Sequence, residues 1–201
     1  MRKAPPKIAI IILAAGASSR MGKIKQLLSW KQTTLIGNAI EQALDSKADD
    51  VFVVLGANYQ LISKEIKQEN ITIIYNKNWT LGMGSSIVCA MDFFDKKHKK
   101  YDGVLITLVD QPLIDVIYFN MLINKFIDNN IIASKYKNRV GVPAIFSLKY
   151  FNELRQLNGD IGARNLILKH INDVKKIDAF DKIQDIDSIE SYEHLYSLFG
   201  K

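Results

Sequence analysis

Apolar and polar positions fall into blocks along the chain, and the blocks differ in period. Residues 8–13 are six apolar side chains in a row, bounded by Pro6 before and Ala14-Ala15-Gly16 after. Lacking the polar alternation of a half-wet strand, this run reads as a strand buried on both faces, the habit of central strands in α/β proteins. Residues 51–55, 71–75 and 102–108 read as further strands, and between them the pattern shifts to a helical period. Thr33 or Thr34 caps a helix reaching about Asp45, with Leu35, Ile36, Ala39, Ile40 and Ala43 on one side. Helices follow at 59–67 and 85–95. The order βαβαβ predicts a parallel sheet with right-handed crossovers.

In the second half, Pro112 is expected to start a helix through about Ile127, followed by a strand at 131–136. Val140-Gly141-Val142-Pro143 reads as a bend before a short strand at 144–147. Helices at 150–156 and from about Asn158 to His170, a strand at 173–177 and a closing helix at 188–199 complete the pattern. The fold class is α/β: a single domain over 1–201, built on a mostly parallel twisted sheet with helices on both faces.

Composition narrows this picture. A chain of 201 residues with 48% apolar content and four prolines suits one folded unit, able to bury about 70% of its unfolded surface. The single cysteine, Cys89, lies in an apolar helical pattern and reads as a core filler in a reducing compartment. Arg2, Lys3 and Lys7 precede an apolar run too short for a signal peptide or a membrane span, so a cytoplasmic protein is expected. The formal charge of +6 suits an anionic ligand. Its densest run, Lys96-Lys97-His98-Lys99-Lys100, falls at a helix end, where cations complement the dipole and face water. No aromatic-rich signature accompanies it, so nucleic acid is not an expected partner.

The chemistry begins where the first strand ends. Ala14, Ala15 and Gly16 leave their backbone N–H groups open to close approach, Ser18 and Ser19 add hydroxyls, and Arg20, Lys23 and Lys25 bring positive charge. Such a loop at the carboxyl end of a buried parallel strand is where open α/β sheets hold phosphates. Five residues separate Gly16 from Gly22 and Ile24 follows Lys23, which excludes a Walker A loop. Neither this loop nor Gly82-Met83-Gly84 completes the G-x-G-x-x-G of a dinucleotide site. A nucleotide that is neither hydrolysed nor dinucleotide is the expected ligand.

Leu13-Ala14-Ala15-Gly16, Arg20-Met21-Gly22 and Lys25-Gln26-Leu27-Leu28 together resemble the signature of the MobA-like nucleotidyltransferases, and most closely the molybdenum cofactor cytidylyltransferases. The resemblance implies a Rossmann-like nucleotidyltransferase fold and transfer of CMP from CTP to the terminal phosphate of molybdenum-bound molybdopterin, with release of pyrophosphate. It implies Mg2+ as cofactor, CTP or another NTP and a molybdopterin-type phosphorylated acceptor as substrates, and transient contact with a molybdoenzyme or its chaperone. Leu13, Ala14, Ala15, Gly16, Arg20 and Lys25 would then bind nucleotide. Arg20 is assigned to the β- and γ-phosphates and Lys25 to the α-phosphate, while Lys23 is solvated. GTP in place of CTP, another phosphorylated acceptor, a non-catalytic nucleotide or pterin module, and a basic nucleic-acid binder are the alternatives. The guanylyl branch more often shows Leu-Ala-Gly-Gly.

Later segments carry the same resemblance beside plainer readings. In the stretch from Asn76 to Ser86, Gly82 and Gly84 allow the backbone to bend, and Ser85 or Ser86 either caps a helix or meets a ligand. The resemblance assigns Ser86 to the base and ribose, with Gly82 beside it. Asp110, directly after a buried strand, either binds a hard cation or caps the helix at Pro112; the Asp-Gln-Pro motif implies metal. Asp160 suits an N-cap, whereas Gly159-Asp160-Ile161-Gly162-Ala163-Arg164 matches a segment in which Asp160 and Gly162 face the second substrate. Val142 stands where the family often has histidine. Asp185-Ile186-Asp187-Ser188 resembles the family's Asp-Ile-Asp-Thr, with Asp185 chosen as second metal ligand and helix capping by Asp187 or Ser188 as the other reading. His98, His170 and His194 are scattered in charged or helical contexts where no acidic or metal-ligand partner is expected, and a phosphate nucleophile ionised near pH 7 needs no general base.

Overall fold

The computed structural model describes residues 4–66, 70–126 and 130–201, and of Arg20 it describes the backbone. Lys67 and Ile127, expected as helix ends, lie outside the described residues. The first strand, β1 (Ile8–Ala14), is buried at every position. Two short strands follow, β2 (Ser29–Trp30) and β3 (Thr33–Thr34), which pair antiparallel and had no counterpart in the sequence pattern. Helix α1 (Leu35–Leu44) starts at Thr34, whose side chain accepts from the Gly37 N–H at 3.1 Å. Then come β4 (Asp50–Leu55), α2 (Tyr59–Glu65), β5 (Ile71–Tyr75), α3 (Met83–Lys96) and β6 (Gly103–Leu108).

The remaining elements are α4 (Val116–Lys125), β7 (Ile131–Tyr136), β8 (Arg139–Ser147), α5 (Phe151–Leu154), α6 (Ala163–Lys169), β9 (Val174–Asp178) and α7 (Ile189–Phe199). They form a single α/β domain around a seven-stranded sheet of order β5-β4-β1-β6-β8-β7-β9. Strands β5, β4, β1 and β6 run parallel, β8 is antiparallel to both β6 and β7, and β9 is parallel to β7.

Strand β1 is central because both of its faces are covered. Ala9, Ile11 and Leu13 point into one core with Ile87, Met91 and Phe94 of α3, and Ile8, Ile10 and Ile12 into the other with Ile36 and Ile40 of α1. The alternation of side chains along a strand sends successive residues to opposite faces, so two helical layers demand apolar side chains at every position. A third, smaller core of Met21, Trp30, Leu35, Ile186 and Leu195 joins α7 to the segment after β1, with the Trp30 and Tyr196 rings edge to face at 6.3 Å. That packing brings residues 185–187 back to the carboxyl end of β1.

Three expectations are corrected. Residues 144–147 are not a separate strand, because β8 runs on through 139–147; the expected bend survives within it, where Val142 and Pro143 fall between the pairs Gly141–Ser134 and Ala144–Ala133 and interrupt the ladder to β7. Pro112 does not open a helix: it sits in a turn closed by the Ile114 N–H on the Gln111 carbonyl at 3.1 Å, its own carbonyl accepts from the Asn38 side chain at 3.2 Å, and α4 begins four residues later, where Asp115 accepts from the Tyr118 N–H at 2.9 Å. Asp160 is not a helix cap, since α6 starts after Gly162 without a side-chain cap. The lysine run at 96–100 is exposed, as expected of a solvated helix end, and Cys89 is half-buried against the first core. Among the described residues no helix is long and apolar enough to cross a membrane.

Candidate nucleotide-transfer site

The loop after β1 is shaped by a residue the motif reading passed over. Gln26 is buried, and its Nε2 donates to the carbonyls of Ala14 at 3.0 Å and Gly16 at 2.8 Å, while Ser18 Oγ donates to its Oε1 at 3.4 Å. One amide thus holds both limbs of the loop, and the two bent carbonyls, lost to the sheet ladder, stay satisfied. A Cβ built on Gly16 meets nothing within 4 Å, so that face of the loop is open space. It borders a cleft of about 560 Å3 at the carboxyl edge of the parallel strands.

The opposite wall comes from the start of α3. Asn76 is buried and its Nδ2 donates to Ser85 Oγ at 2.9 Å and Ser86 Oγ at 3.0 Å, while its Oδ1 accepts from the Asn78 N–H. Ser85 is occupied locally, donating toward the Gly82 and Asn78 carbonyls; Ser86 lines the cleft. Gly82 has a φ of 95°, and a Cβ there would come within 2.5 Å of Asp160 Oδ1 and of the Gly159 backbone. Glycine is required at this position on both counts. The close approach sets Asp160 on the cleft wall.

Asp110 follows β6 and meets Lys25 across the cleft. Lys25 Nζ donates to Asp110 Oδ2 at 2.9 Å and to the Ile186 carbonyl at 2.7 Å, with Asp187 Oδ1 at 3.8 Å. The Ile186 N–H in turn donates to the Asp110 carbonyl at 2.9 Å. Asp110 Oδ1 is buried and has no hydrogen-bond partner among the described residues. A buried carboxylate oxygen without a donor costs about 1–3 kcal/mol or more, so the cleft presents an unmet demand for positive charge. Among the described residues no group of three or more His, Cys, Asp or Glu side chains is placed to hold a metal ion by protein ligands alone. A hard cation shared between one or two carboxylates and a substrate's phosphates fits this donor set.

A second cavity of about 280 Å3 adjoins the first, and Leu13, Met83, Leu108 and Asp160 line both. Gly162, Arg164, Tyr136, Gln111 and Asp185 line it as well. Gln111 Nε2 donates to Asp185 Oδ1 at 2.9 Å, and Gln111 Oε1 is buried without a partner. The inner side of Asp185 is desolvated although its outer side is exposed. That desolvation holds its carboxyl above the usual range, reinforced by Asp110 and Asp187 and opposed by the Gln111 bond and Lys25.

The residues singled out in the sequence thus separate into two neighbouring cavities. Leu13, Ala14, Ala15, Gly16, Lys25, Gly82, Ser86, Asp110 and Asp160 line the larger, and Gly162 and Asp185 the smaller. Asp187, rather than Asp185, lines the larger one with Asp110 and Lys25. The Arg20 side chain lies outside the description, while its backbone sits in the turn Ser19–Met21 at the cleft. Lys23 is exposed. Gln26, Asn76, Gln111 and Asp187 were missed as site residues; the signal for the first three is a polar side chain set next to a motif residue or inside an apolar stretch.

A mostly parallel sheet with a cleft of about 560 Å3 outside its carboxyl edge has the ligand-site arrangement of open α/β proteins, and a nucleotidyl transferase from Methanothermobacter thermautotroptrophicus shares the fold with a TM-score of 0.81 at 16% identity. The chain belongs to the MobA-like NTP transferase domain family, whose model matches residues 10–174. It is 29% identical over 201 aligned residues to nicotine blue oxidoreductase of Paenarthrobacter nicotinovorans, covering 94% of this chain and 97% of that one. It is 31% identical to molybdenum cofactor cytidylyltransferase of Escherichia coli K12 over 112 residues, 56% of each chain. Purine catabolism protein PucB of Bacillus subtilis is 28% identical, covering 94% of this chain and 95% of that one. Among solved structures, Rv0371c of Mycobacterium tuberculosis superposes with a TM-score of 0.84 at 25% identity, covering 96% of this chain and all of that one.

Proposed function

We propose that this nucleotidyltransferase moves CMP from CTP to the terminal phosphate of a molybdopterin-type acceptor and releases pyrophosphate. The observation that carries the reading is the meeting of Lys25 and Asp110 in the cleft beside the open face of Gly16, at 2.9 Å. Two polyanions have to meet there, and pyrophosphate leaves with its charge, so fixed cations and backbone donors at the reacting phosphates carry the catalysis. Lys25 takes the α-phosphate and the charge that develops on the leaving group. Arg20, whose planar fork suits bidentate contact, takes the β- and γ-phosphates. Ser86 and the Gly82 turn hold the base and ribose, and the loop from Leu13 to Gly16 offers its N–H groups to the triphosphate.

Asp110, with its unpartnered Oδ1, would hold Mg2+, and Asp187 takes over from Asp185 as the second carboxylate because it lines the same cleft. When bound, the cation neutralises phosphate charge and favours in-line geometry. The acceptor approaches from the second cavity, past Asp160 and Gly162. Its phosphate is already ionised near pH 7, so no side chain has to remove a proton. The choice of CTP rests on the Leu-Ala-Ala-Gly form of the loop and on the similarity to the Escherichia coli molybdenum cofactor cytidylyltransferase.

The test is purified protein with each of the four NTPs, Mg2+ and molybdopterin, products identified by mass, and a parallel series with chelator. The expected result is a cytosine dinucleotide and pyrophosphate from CTP alone, abolished by chelator. A guanine dinucleotide would overturn the cytidylyl assignment, and no product from any NTP would overturn the acceptor.

A further inference from the structure

The second cavity has an apolar side formed by Leu13, Ile87, Ile106 and Leu108 and a polar side that carries Gln111 and Asp185, with Arg164 and Asn165 also on its lining. Gln111 is 5% exposed, and its amide is fixed at one end only: Nε2 donates to Asp185 Oδ1 at 2.9 Å while Oε1 has no partner among the described residues. Asp185 accepts that bond with one oxygen, and as an exposed carboxylate it offers further lone pairs beside it. An unpartnered carbonyl oxygen thus stands beside a carboxylate, with the Arg164 guanidinium on the lining of the same cavity. Since a buried carbonyl oxygen without a donor is costly, a ligand that brings donors is favoured over an isostere that brings acceptors, and such sites discriminate strongly.

We propose that Gln111, oriented by Asp185, is a specificity-determining residue that reads adjacent N–H donors on a planar heterocyclic acceptor, as in a 2-amino-4-oxo ring edge. Asp185 acts as a positioning residue: its bond to Nε2 turns the Gln111 carbonyl oxygen toward the ligand. The apolar side chains Leu13, Ile87, Ile106 and Leu108 suit the ring, and the cavity's continuity with the larger cleft through Leu13, Met83, Leu108 and Asp160 lets the ring's substituent reach the nucleotide. This rests on the transfer reading for its place in the reaction but not for its chemistry, which concerns binding alone.

The probes are pterin, carrying the 2-amino-4-oxo edge, and lumazine, in which an oxygen replaces the amino group; both are titrated by fluorescence against the intact protein. Wild type is expected to bind pterin about tenfold or more tightly than lumazine. Gln111→Met keeps the volume and removes the acceptor, and is expected to abolish that preference while leaving nucleotide binding unchanged. Asp185→Ala is expected to lose the preference and Asp185→Asn, which still accepts from Nε2, to retain most of it. In transfer assays Gln111→Met is expected to raise the acceptor KM with little change in kcat. Equal affinity of wild type for the two probes, binding of neither, or an unchanged preference in Gln111→Met overturns the proposal. Pterin preference with no nucleotidyl transfer to molybdopterin would sink the transfer reading and leave this one standing; transfer with an unaltered KM in Gln111→Met would do the reverse.

Discussion

Lys25 Nζ sits 2.9 Å from Asp110 Oδ2 although 85 residues separate them, and the same ammonium is held at 2.7 Å by the Ile186 carbonyl. The pair is largely shielded, with side-chain exposures of 13% and 20%. It joins the loop after β1, the end of β6 and the C-terminal strap in one contact. The segment after β1 and the strap share the third core, and β6 is held in the other two, so the meeting place is preorganised before any ligand arrives.

Lys25→Ala and Asp110→Ala are expected to melt cooperatively and to lose nucleotidyl transfer. Removing one preorganised charge from reacting phosphates costs on the order of 2–4 kcal/mol of barrier, or roughly 30- to 1000-fold in rate. Single-turnover rates with saturating NTP measure this, and near wild-type values in either variant would contradict the assignment.

Gln26→Leu leaves the Ala14 and Gly16 carbonyls without their shared donor. The expected cost is about 1–3 kcal/mol of stability, read as a lower urea midpoint, together with weaker NTP binding as the loop loosens. A variant that binds NTP as wild type does would show that the loop holds its shape without the amide.

Gly82→Ala introduces a Cβ at a φ of 95° and within 2.5 Å of Asp160 Oδ1. Strain of about 1–3 kcal/mol is expected. Because Ser86 and Asp160 both flank this turn, KM for the nucleotide should rise more than stability falls, which kinetics and a thermal melt on the same preparation would separate.

Tyr118 supplies a pH prediction away from the site. Burial in the second core pushes its phenol up to about 12, with the bond it gives Ser134 at 2.8 Å working the other way and Asp178 adding to the rise. An unfolded tyrosine ionises near pH 10. Between about pH 10 and 12 the folded chain therefore binds the proton that the unfolded chain has released, and stability falls as pH rises through that window. Its contribution is fully present below pH 10. In Tyr118→Phe the alkaline loss of melting temperature should be smaller than in wild type over that range, and parallel curves would refute the assignment.

Much of the sheet was legible in the sequence because strands buried on both faces have no polar option. The run at 8–13 could be read without knowing its neighbours, and the strand at 71–75 and a threonine cap at 33 or 34, which the structure puts at Thr34, were bounded by their own turn chemistry. The continuity of β8 through 139–147 and the late start of α4 could not be read for the opposite reason. Both depend on contacts outside the local segment: β6 pairing along β8, and Asn38 reaching the Pro112 carbonyl.

The sequence by itself determined the α/β class, the phosphate-type loop after β1 and the family, because these reside in local patterns: apolar period, small residues and the order of charges within a few positions. Only the tertiary structure decided that Asp187 rather than Asp185 shares the larger cleft with Lys25, that Gln26 holds the loop, and that Gln111 and Asp185 line a second cavity. Residues 185–187 are placed by the packing of Ile186 and α7 against Trp30 and Met21. Spacing along the chain carries no record of such a contact, since which of two neighbouring carboxylates faces a cleft is set by how a distant hydrophobic surface turns the backbone between them.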